Sequence, residues 1–150
     1  MLRLTETCHH EMLAHALRGL PDEACGLLLG PSAPSDADAG EAEPTLCDRF
    51  EPCDNAAASS RVYSVAPRDF LRIDRAAEDA GREVIGVMHS HTHTEPYPSK
   101  TDVDQAPDPA WHYVIVSLRD LSPMLRSYRI VDGGISEEPV LVDHHAIPYH

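Results

Sequence analysis

Apolar positions along the chain follow two periods, and each period predicts a different kind of element. Apolar residues spaced three and four apart predict two amphipathic helices, one from an N-cap at Thr7 to about Gly19 and one from Pro67 to about Gly81. Pro21 marks the end of the first helix. The positions expected to face the core are Met12, Leu13, Ala16, Leu17 and Leu20 in the first helix and Phe70, Leu71, Ile73, Ala76, Ala77 and Ala80 in the second.

Short apolar or alternating segments around these helices predict strands. The near-continuous apolar segment WHYVIVSL is typical of a strand in the middle of a sheet, and Asp132, Gly133 and Gly134 indicate a hairpin turn. The predicted strands are LRLT, EACGLLLG, TLCDRFEPC, SSRVYSV, EVIGVMHSH, WHYVIVSL and the two halves of MLRSYRIVDGGISEEPVLV.

The alternation of these strands with two helices predicts an α/β (α+β) fold, in which a mixed β-sheet is flanked by helices. A chain of 150 residues has the length of a single domain, which we expect to span residues 1–150. Residues 31–44, PSAPSDADAGEAEP, are small, acidic and interrupted by prolines, so they predict a mobile surface loop. Residues 143–150 are expected to form a mobile tail.

Charge and cysteine content narrow the class of protein. The formal net charge of −13 argues against a nucleic-acid partner, which requires a basic face. The apolar segments are too short to span a membrane, and the N-terminus lacks the pattern of a signal peptide. Cys8, Cys25, Cys47 and Cys53 have no C-x-x-C spacing, so we expect four reduced thiols in a cytoplasmic protein.

The segment GVMHSHTHTEPYPSKTDVD concentrates the candidate chemistry. His89, His91 and His93 alternate, so they share one face if the strand continues that far. A polar, exposed strand end is the alternative for a bare H-x-H. Ser99 and Asp102 follow three residues apart and would lie on one face of a helical turn. Two imidazoles and a carboxylate suit zinc, with a fourth position open for water.

A catalytic zinc site also needs a base, and the candidate is Glu23 in PDEACG. A carboxylate at the entry to an apolar strand requires a reason to be there, because burying it without a partner is costly. An exposed glutamate at the start of the strand is the alternative that this residue alone leaves open.

Together these residues resemble the signature of the JAMM (MPN-plus) metalloprotease family. That signature is an upstream glutamate followed by H-x-H, seven residues and S-x-x-D, and Glu23, His89, His91, Ser99 and Asp102 match its spacing. The resemblance covers nearly the whole chain and implies the JAMM/MPN fold, which is related to the cytidine deaminases. The H-x-E and P-C-x-x-C motifs of the deaminases are absent, so their chemistry is not implied.

The resemblance also implies a role for each matched residue. His89, His91 and Asp102 would bind one catalytic Zn²⁺. Glu23 would hold the zinc water and transfer its proton, and Ser99 would donate a hydrogen bond to the oxyanion.

Three further residues have no settled role. Taking His91 and His93 as the metal-binding pair would leave only five residues before Ser99, so the signature excludes His93 as a ligand and leaves it as a candidate for the rim of the substrate groove. Asn55 and Tyr97 could line the same groove or serve only as turn residues.

The closest likeness within the family is to the short bacterial Mec type, through DEACG, HSHT, YPS and LRSYRIVDGGISEEPV. This likeness implies a zinc metallopeptidase that cuts after the C-terminal glycine of a small ubiquitin-like sulfur-carrier protein and releases cysteine. The chain departs from many members at Thr92 and Val87, where they have proline and tryptophan. Only about eight residues separate Asp102 from Trp111, which leaves no room for the insertions with which eukaryotic deubiquitinases bind ubiquitin.

Three alternatives remain open from the sequence. A prokaryotic isopeptidase would remove a ubiquitin-like protein from lysines through the same site. A non-catalytic MPN-type scaffold would bind partners only, although such scaffolds usually lack one or more of the ligands that this chain retains. A cysteine hydrolase would use Cys25 with a histidine, but Cys25 begins a buried strand, where an inert thiol is expected.

Overall fold

The computed structural model describes residues 1–32, 44–143 and 145–146, which form two sheets and three helices. The elements are β1 (Leu2–Leu4), α1 (Glu6–Gly19), β2 (Cys25–Pro31), β3 (Thr45–Cys47), β4 (Arg49–Cys53), α2 (Pro67–Asp79), β5 (Arg82–His91), α3 (Lys100–Asp104), β6 (His112–Ser117), β7 (Met124–Val131), β8 (Gly134–Glu138), β9 (Val140–Val142) and β10 (His145–Ala146).

The larger sheet has six strands in the order β4-β2-β5-β6-β7-β8, and the smaller has four in the order β10-β9-β1-β3. In the larger sheet, β5 and β6 are parallel and all other neighbours are antiparallel. A mixed sheet flanked by helices, as the sequence predicts, is therefore confirmed. Its longest strand, β5, lies inside the sheet and ends at His91.

The two long helices pack on opposite faces of the larger sheet. Met88 of β5 belongs to the core cluster that includes residues of α1, whereas Val87 belongs to the cluster that includes residues of α2. Because side chains alternate along a strand, His89 and His91 lie on the same face as Val87. The histidine pair therefore lies on the α2 side of the sheet.

Helix α1 begins earlier than the sequence predicts. The Oγ1 atom of Thr5, not of Thr7, caps it by accepting from the backbone N–H of Cys8 at 3.2 Å. Leu17 and Leu20, expected in the core, are 51% and 47% exposed. An earlier start adds one buried residue at the N-terminal end, and the buried side chains of α1 are Cys8, Met12 and Ala16.

Helix α2 buries a narrower stripe than its apolar residues suggest. Ile73 and Ala77 are buried, but Leu71 is 49% exposed, and Ala76 and Ala80 are also exposed. The two buried positions are four apart, so a single row of side chains meets the sheet. The prediction of a six-residue inward face was wrong for the three exposed residues.

Three predicted strands differ in the structure. The second half of MLRSYRIVDGGISEEPVLV divides into β8, which pairs with β7 in the larger sheet, and β9, which pairs with β1 in the smaller one. TLCDRFEPC forms two strands, since β3 pairs with β1 in the smaller sheet and β4 pairs with β2 in the larger one. SSRVYSV forms no strand, and only Val65 makes an isolated bridge, to Asn55. The hairpin turn is confirmed, with positive φ at Asp132 and Gly133.

The predicted loop and tail are only partly described. Strand β2 continues through Pro31, and residues 33–43 of the predicted acidic loop lie outside the described residues. Residues 145–146 pair with β9 as a short strand, whereas residues 144 and 147–150 lie outside the described part.

Two further observations bear on the type of protein. All four cysteines are buried, and none of them forms a disulfide. In the described part of the chain, none of the helices combines the length and the apolar character that crossing a bilayer requires.

A buried acid–base pair joins β6 to β8 on the edge of the larger sheet. His112 Nδ1 lies 2.6 Å from Glu138 Oε2, and the Ser127 hydroxyl donates to the same oxygen at 2.8 Å. Burial alone would raise the pKa of Glu138, but the hydrogen bond and the charge of His112 outweigh it and hold that pKa below its usual value of 4.5.

We therefore expect Glu138 to contribute to stability in a pH-dependent way. A carboxyl whose pKa is lower in the folded state stabilises the fold above the unfolded-state pKa, and this contribution is lost as the pH falls through the folded value. Glu138→Gln should cost about 3 kcal/mol at pH 7, because it breaks a buried pair. Thermal unfolding should show that this difference shrinks below pH 4.5; a difference that grows there would contradict the assignment.

Candidate active site

The end of β5 places two imidazoles side by side on the α2 face of the sheet. His89 and His91 are 1% and 4% exposed, and their Nε2 atoms are 3.1 Å apart. The alternative of a polar, exposed strand end is therefore wrong for these two residues.

The pairing of β2 with β5 brings Glu23 to the same place. Cys25 lies directly opposite His89 in the antiparallel register. Beyond this pair, the Ala24 carbonyl accepts from the Ser90 N–H at 2.9 Å, and the Ala24 N–H donates to the Ser90 hydroxyl at 2.8 Å. Because the strands stay joined there, the residue before Ala24 lies beside the histidine pair.

The proline loop carries the chain from β5 to the short helix α3, whose N-cap is Ser99. The Ser99 hydroxyl accepts from the Asp102 N–H at 3.1 Å, and the Ser99 N–H donates to Asp102 Oδ2 at 2.8 Å. This reciprocal capping box fixes the Asp102 carboxylate relative to the helix start. The two residues lie on one face of a helical turn, as the sequence predicts.

The carboxylate completes a group of three close donor atoms. Asp102 Oδ2 lies 3.1 Å from Nε2 of both His89 and His91, so the three atoms form a triangle with equal edges. A tetrahedral zinc ion with bonds of 2.0–2.1 Å requires ligand atoms about 3.3 Å apart. The three atoms are therefore able to hold one metal ion of that size with little movement.

Hydrogen bonding fixes the tautomer of one imidazole. His91 Nδ1 lies 2.8 Å from the Glu95 carbonyl oxygen. Because a carbonyl only accepts, Nδ1 carries a proton in either protonation state of the ring, so Nε2 is the nitrogen that carries the lone pair when the ring is neutral. This is the arrangement in which a histidine binds a metal through Nε2.

The same contacts shift the pKa values of the three side chains. Burial lowers the pKa of His89. Burial would lower the pKa of His91, but the protonated ring donates to both Asp102 and Glu95, and these two hydrogen bonds raise the pKa. Burial would raise the pKa of Asp102, but hydrogen bonds from both histidines hold it well below its usual range, so this carboxylate is ionised at neutral pH.

Glu23 is buried and has an unusual protonation behaviour. Its side chain is 4% exposed, and its Oε1 atom has no hydrogen-bond partner among the described residues. Burial raises the pKa of Glu23 to about 7; His91 opposes this effect and Asp102 adds to it. The alternative of a surface glutamate is therefore wrong, and a carboxyl of this pKa can take up and release a proton near neutral pH.

Residues 55–65 form an irregular segment over the histidine pair and include SSRVYSV, the predicted strand that does not form. The Tyr63 ring stacks on the imidazole of His89, with centroids 4.2 Å apart and an angle of 14° between planes. The sequence does not indicate Tyr63 as a site residue, because no local pattern shows that an aromatic side chain will stack on a histidine far along the chain. Asn55 is a structural residue: its amide binds the backbone of Glu23, Val62 and Ser64.

An apolar cavity of about 710 Å³ opens beside this segment on the α2 side. Its wall includes Tyr63, Leu27, Phe70, Val87 and Trp111. Because Tyr63 both lines the cavity and contacts His89, the cavity begins next to the group of three donor atoms. Such a cavity can receive an apolar part of a substrate.

The other candidates lie apart from the triangle of donor atoms. His93 is exposed, beyond the end of β5. Tyr97 is 49% exposed and packs edge-on against the Tyr128 ring at 5.6 Å, while the Tyr128 hydroxyl donates to the Pro96 carbonyl. Tyr97 thus helps to hold the proline loop.

Cys25 has the environment of an inert thiol. It is fully buried, and burial, followed by the charge of Cys53, raises its pKa to about 12. A cysteine nucleophile requires a lowered pKa and access to solvent. The structure therefore argues against a cysteine hydrolase.

Comparisons with known proteins agree with this site. The family model described as prokaryotic homologs of the JAB domain matches residues 5–131. The chain is 48% identical over 132 residues to the CysO-cysteine peptidase of Mycobacterium tuberculosis, covering 87% of this chain and 84% of that protein. It is 33% identical over 121 residues to the desampylase of Haloferax volcanii, covering 77% and 80%.

A solved structure has the same fold as this chain. The solution structure of a protein from Desulfitobacterium hafniense superposes with a TM-score of 0.81 at 34% identity, and all of both chains is covered. The family match, the two relatives and the buried donor triangle point to one class of protein. The chain belongs to the prokaryotic JAB-domain branch of the JAMM metalloprotease family, and it is a hydrolase rather than a non-catalytic scaffold of that fold.

Proposed function

We propose that this hydrolase is a zinc metallopeptidase that cuts the amide bond after the C-terminal glycine of a small ubiquitin-like sulfur-carrier protein and releases cysteine. The triangle of His89, His91 and Asp102 beside the buried Glu23 is the observation that carries the proposal. The relative named CysO-cysteine peptidase supports the substrate, because it is 48% identical over 132 residues.

In this proposal His89, His91 and Asp102 hold one Zn²⁺. The donor set fits, since it combines two imidazoles with one carboxylate and uses three protein atoms, which is typical of catalytic rather than structural zinc. Zinc supplies a Lewis acid and lowers the pKa of a bound water to about 7. The capping box at Ser99 and the carbonyl of Glu95 orient two of the three ligands.

Glu23 acts as the general base and then as the general acid. Its unpartnered Oε1 takes the proton of the attacking water as the oxygen bonds to the carbonyl carbon of the scissile glycine. The same oxygen delivers that proton to the leaving amine when the C–N bond breaks. In the metal-free protein burial raises the pKa of this carboxyl to about 7, and burial likewise favours proton uptake when the base acts.

Ser99 stabilises the developing oxyanion. Its hydroxyl oxygen already accepts from the Asp102 N–H, which leaves the hydroxyl proton free to donate to the substrate carbonyl oxygen. Ser99→Ala should therefore lower kcat by about 10²–10³-fold, the usual effect of removing one oxyanion donor. The same variant should lose about 1 kcal/mol of stability, because the N-cap of α3 is lost.

Ser99→Asn is the matched control for these two effects. Asparagine caps helices as well as serine does, so this variant should keep the stability of the wild type. Its Oδ1 is taken up by the cap and its Nδ2 lies further from the backbone than the serine hydroxyl, so the donor is displaced and activity should still be lost. Thermal unfolding and steady-state kinetics on both variants separate the two roles. If Ser99→Asn and Ser99→Ala both keep wild-type kcat, Ser99 has no part in the reaction.

A second substrate has support from a specific observation. The Haloferax volcanii relative is named desampylase and is 33% identical over 121 residues. An isopeptidase of this kind would remove a ubiquitin-like protein from lysines with the same catalytic residues. Only the leaving amine differs between the two reactions.

Mass spectrometry can test the proposal and choose between these substrates. The enzyme is incubated with a sulfur-carrier protein that ends in Gly-Gly-Cys and, separately, with the same carrier joined to a lysine side chain. We expect loss of one cysteine residue from the first substrate, blocked by a chelator. Cleavage of the lysine conjugate alone would favour the isopeptidase, and cleavage of neither would contradict the proposed substrate class.

The proposal includes the setting in which the protein acts. Residues 1–150 act as one domain in the cytoplasm, where the four buried free thiols stay reduced. The partner is the carrier protein, and no nucleic acid or membrane takes part.

A further inference from the structure

The two histidines of the donor triangle are held in different ways. His91 donates from Nδ1 to the Glu95 carbonyl, which fixes its ring. His89 Nδ1 is buried and has no hydrogen-bond partner among the described residues. Metal-binding histidines almost always donate from the second nitrogen to a fixed acceptor, so the orientation of His89 requires another explanation.

Tyr63 provides the missing constraint. Its ring lies nearly parallel to the His89 imidazole, with an angle of 14° between the two planes and 4.2 Å between the centroids. A parallel ring covers one face of the imidazole, so His89 cannot rotate about its χ2 angle without moving into Tyr63. The rest of the side chain is enclosed by protein, since His89 is only 1% exposed.

Asn55 in turn holds Tyr63. Its Oδ1 accepts from the Ser64 N–H at 2.9 Å, and its Nδ2 donates to the Val62 carbonyl at 3.0 Å. One amide is therefore hydrogen-bonded to the backbone on each side of Tyr63. The same Nδ2 donates to the Glu23 carbonyl at 3.0 Å. One side chain therefore ties the backbone that carries Tyr63 to the backbone that carries the proposed base.

From these contacts we propose that Tyr63 is the positioning residue of His89 and that Asn55 sets Tyr63 and Glu23 in register with each other. Ring stacking replaces the hydrogen bond that would otherwise orient this ligand. The inference rests on the proposed zinc site and adds two residues outside the family signature to it. It assigns no contact with substrate to either residue.

Zinc affinity tests the proposal without any substrate. Tyr63→Leu removes the flat ring and should weaken zinc binding about 10–100-fold, the range found when a group that orients a ligand is lost. Tyr63→Phe keeps the ring and should stay within about threefold of the wild type. The dissociation constant is measured by competition with a chromogenic chelator on the full chain.

Phe70→Leu is the matched control, because Phe70 lines the same cavity and is not among the rings that stack on His89. We expect this variant to bind zinc as the wild type does. If Tyr63→Leu binds zinc as tightly as the wild type, or if Phe70→Leu loses as much affinity as Tyr63→Leu, the positioning role is wrong. If Tyr63→Phe loses as much as Tyr63→Leu, the hydroxyl and not the stacked ring is responsible.

A second variant tests the proposal with Tyr63 itself unchanged, in case Tyr63→Leu does not fold. Asn55→Asp keeps the acceptor for Ser64 and loses both donors, so it should loosen the Tyr63 segment and weaken zinc binding while the Tyr63 ring remains. Circular dichroism of the metal-free variants checks that each is folded. Wild-type affinity in a folded Asn55→Asp would remove Asn55 from the proposal.

The outcomes separate this inference from the proposed function. If the wild type binds zinc but the Tyr63 variants bind it equally well, only the positioning role fails. If the wild type binds no zinc, the proposed metal site fails and the positioning role fails with it. A wrong substrate assignment leaves all of these affinities unchanged.

Discussion

Glu23→Gln should lower kcat/KM by about 10³-fold while the enzyme still binds one zinc ion per chain, because the loss of a general acid–base group typically costs 10²–10⁴-fold. Glutamine has nearly the same shape as glutamate but cannot accept the proton of the attacking water. Glu23 lies outside the triangle of donor atoms, so the metal set of His89, His91 and Asp102 stays intact. Kinetics and metal analysis of the same preparation check both halves of the prediction.

The same variant should be more stable than the wild type when both are free of metal. The pKa of Glu23 rises from 4.5 to about 7 on folding, so the folded state binds more protons than the unfolded state between these pH values. Stability therefore falls as the pH rises through this window. Glu23→Gln removes this loss, and its melting temperature above pH 7 should exceed that of the metal-free wild type.

Glu83→Gln is the matched control, since Glu83 lies on β5 and is exposed. It should leave both activity and zinc content unchanged. Wild-type turnover by Glu23→Gln would show that another group is the base. Loss of zinc from Glu23→Gln would instead place this residue among the ligands.

Asp102→Asn should remove both zinc binding at stoichiometric concentrations and activity. The amide lacks the charge that Asp102 supplies to the two imidazoles through Oδ2, which lies 3.1 Å from each Nε2 atom. Losing the Lewis acid removes several kcal/mol of transition-state stabilisation, which corresponds to at least about 10³-fold in rate. Metal analysis after dialysis and kinetics with added zinc test the two effects.

Asp104→Asn on the same helix separates this loss from a change in surface charge. Asp104 is exposed and pairs with Lys100 at 3.1 Å, a contact that should contribute little. We expect this variant to keep its zinc and its activity. An Asp102→Asn enzyme that keeps one zinc per chain and full turnover would contradict the assigned ligand set.

The sequence predicts the placement of the two histidines and of the Ser99–Asp102 pair because each depends on short-range geometry. The strand period of two residues places His89 and His91 on one face, and the capping box joins Ser99 to Asp102 within one helical turn. Glu23 required the family signature, because an isolated carboxylate before a strand is equally consistent with an exposed position. Glu23 is buried where β2 pairs with β5, and this pairing of distant segments is not evident from the sequence.

The features that the sequence did not predict depend on contacts between distant segments. Tyr63 meets His89, and the Asn55 amide meets Glu23, across chain separations that no local pattern reports. The SSRVYSV segment has the alternation of a strand, yet Asn55 binds its backbone instead of a neighbouring strand. Leu17 is exposed because it lies outside the row of α1 that is buried, which consists of Cys8, Met12 and Ala16.

In the proposed mechanism, one zinc ion held by His89, His91 and Asp102 is required for hydrolysis. The most direct measurement removes all metal with a chelator, dialyses the chelator away and titrates zinc back while cleavage of the Gly-Gly-Cys carrier is followed. We predict no cleavage without metal and full activity at one equivalent of zinc. Full activity in the metal-free enzyme would contradict the requirement for zinc, and saturation only far above one equivalent would contradict a single tight site.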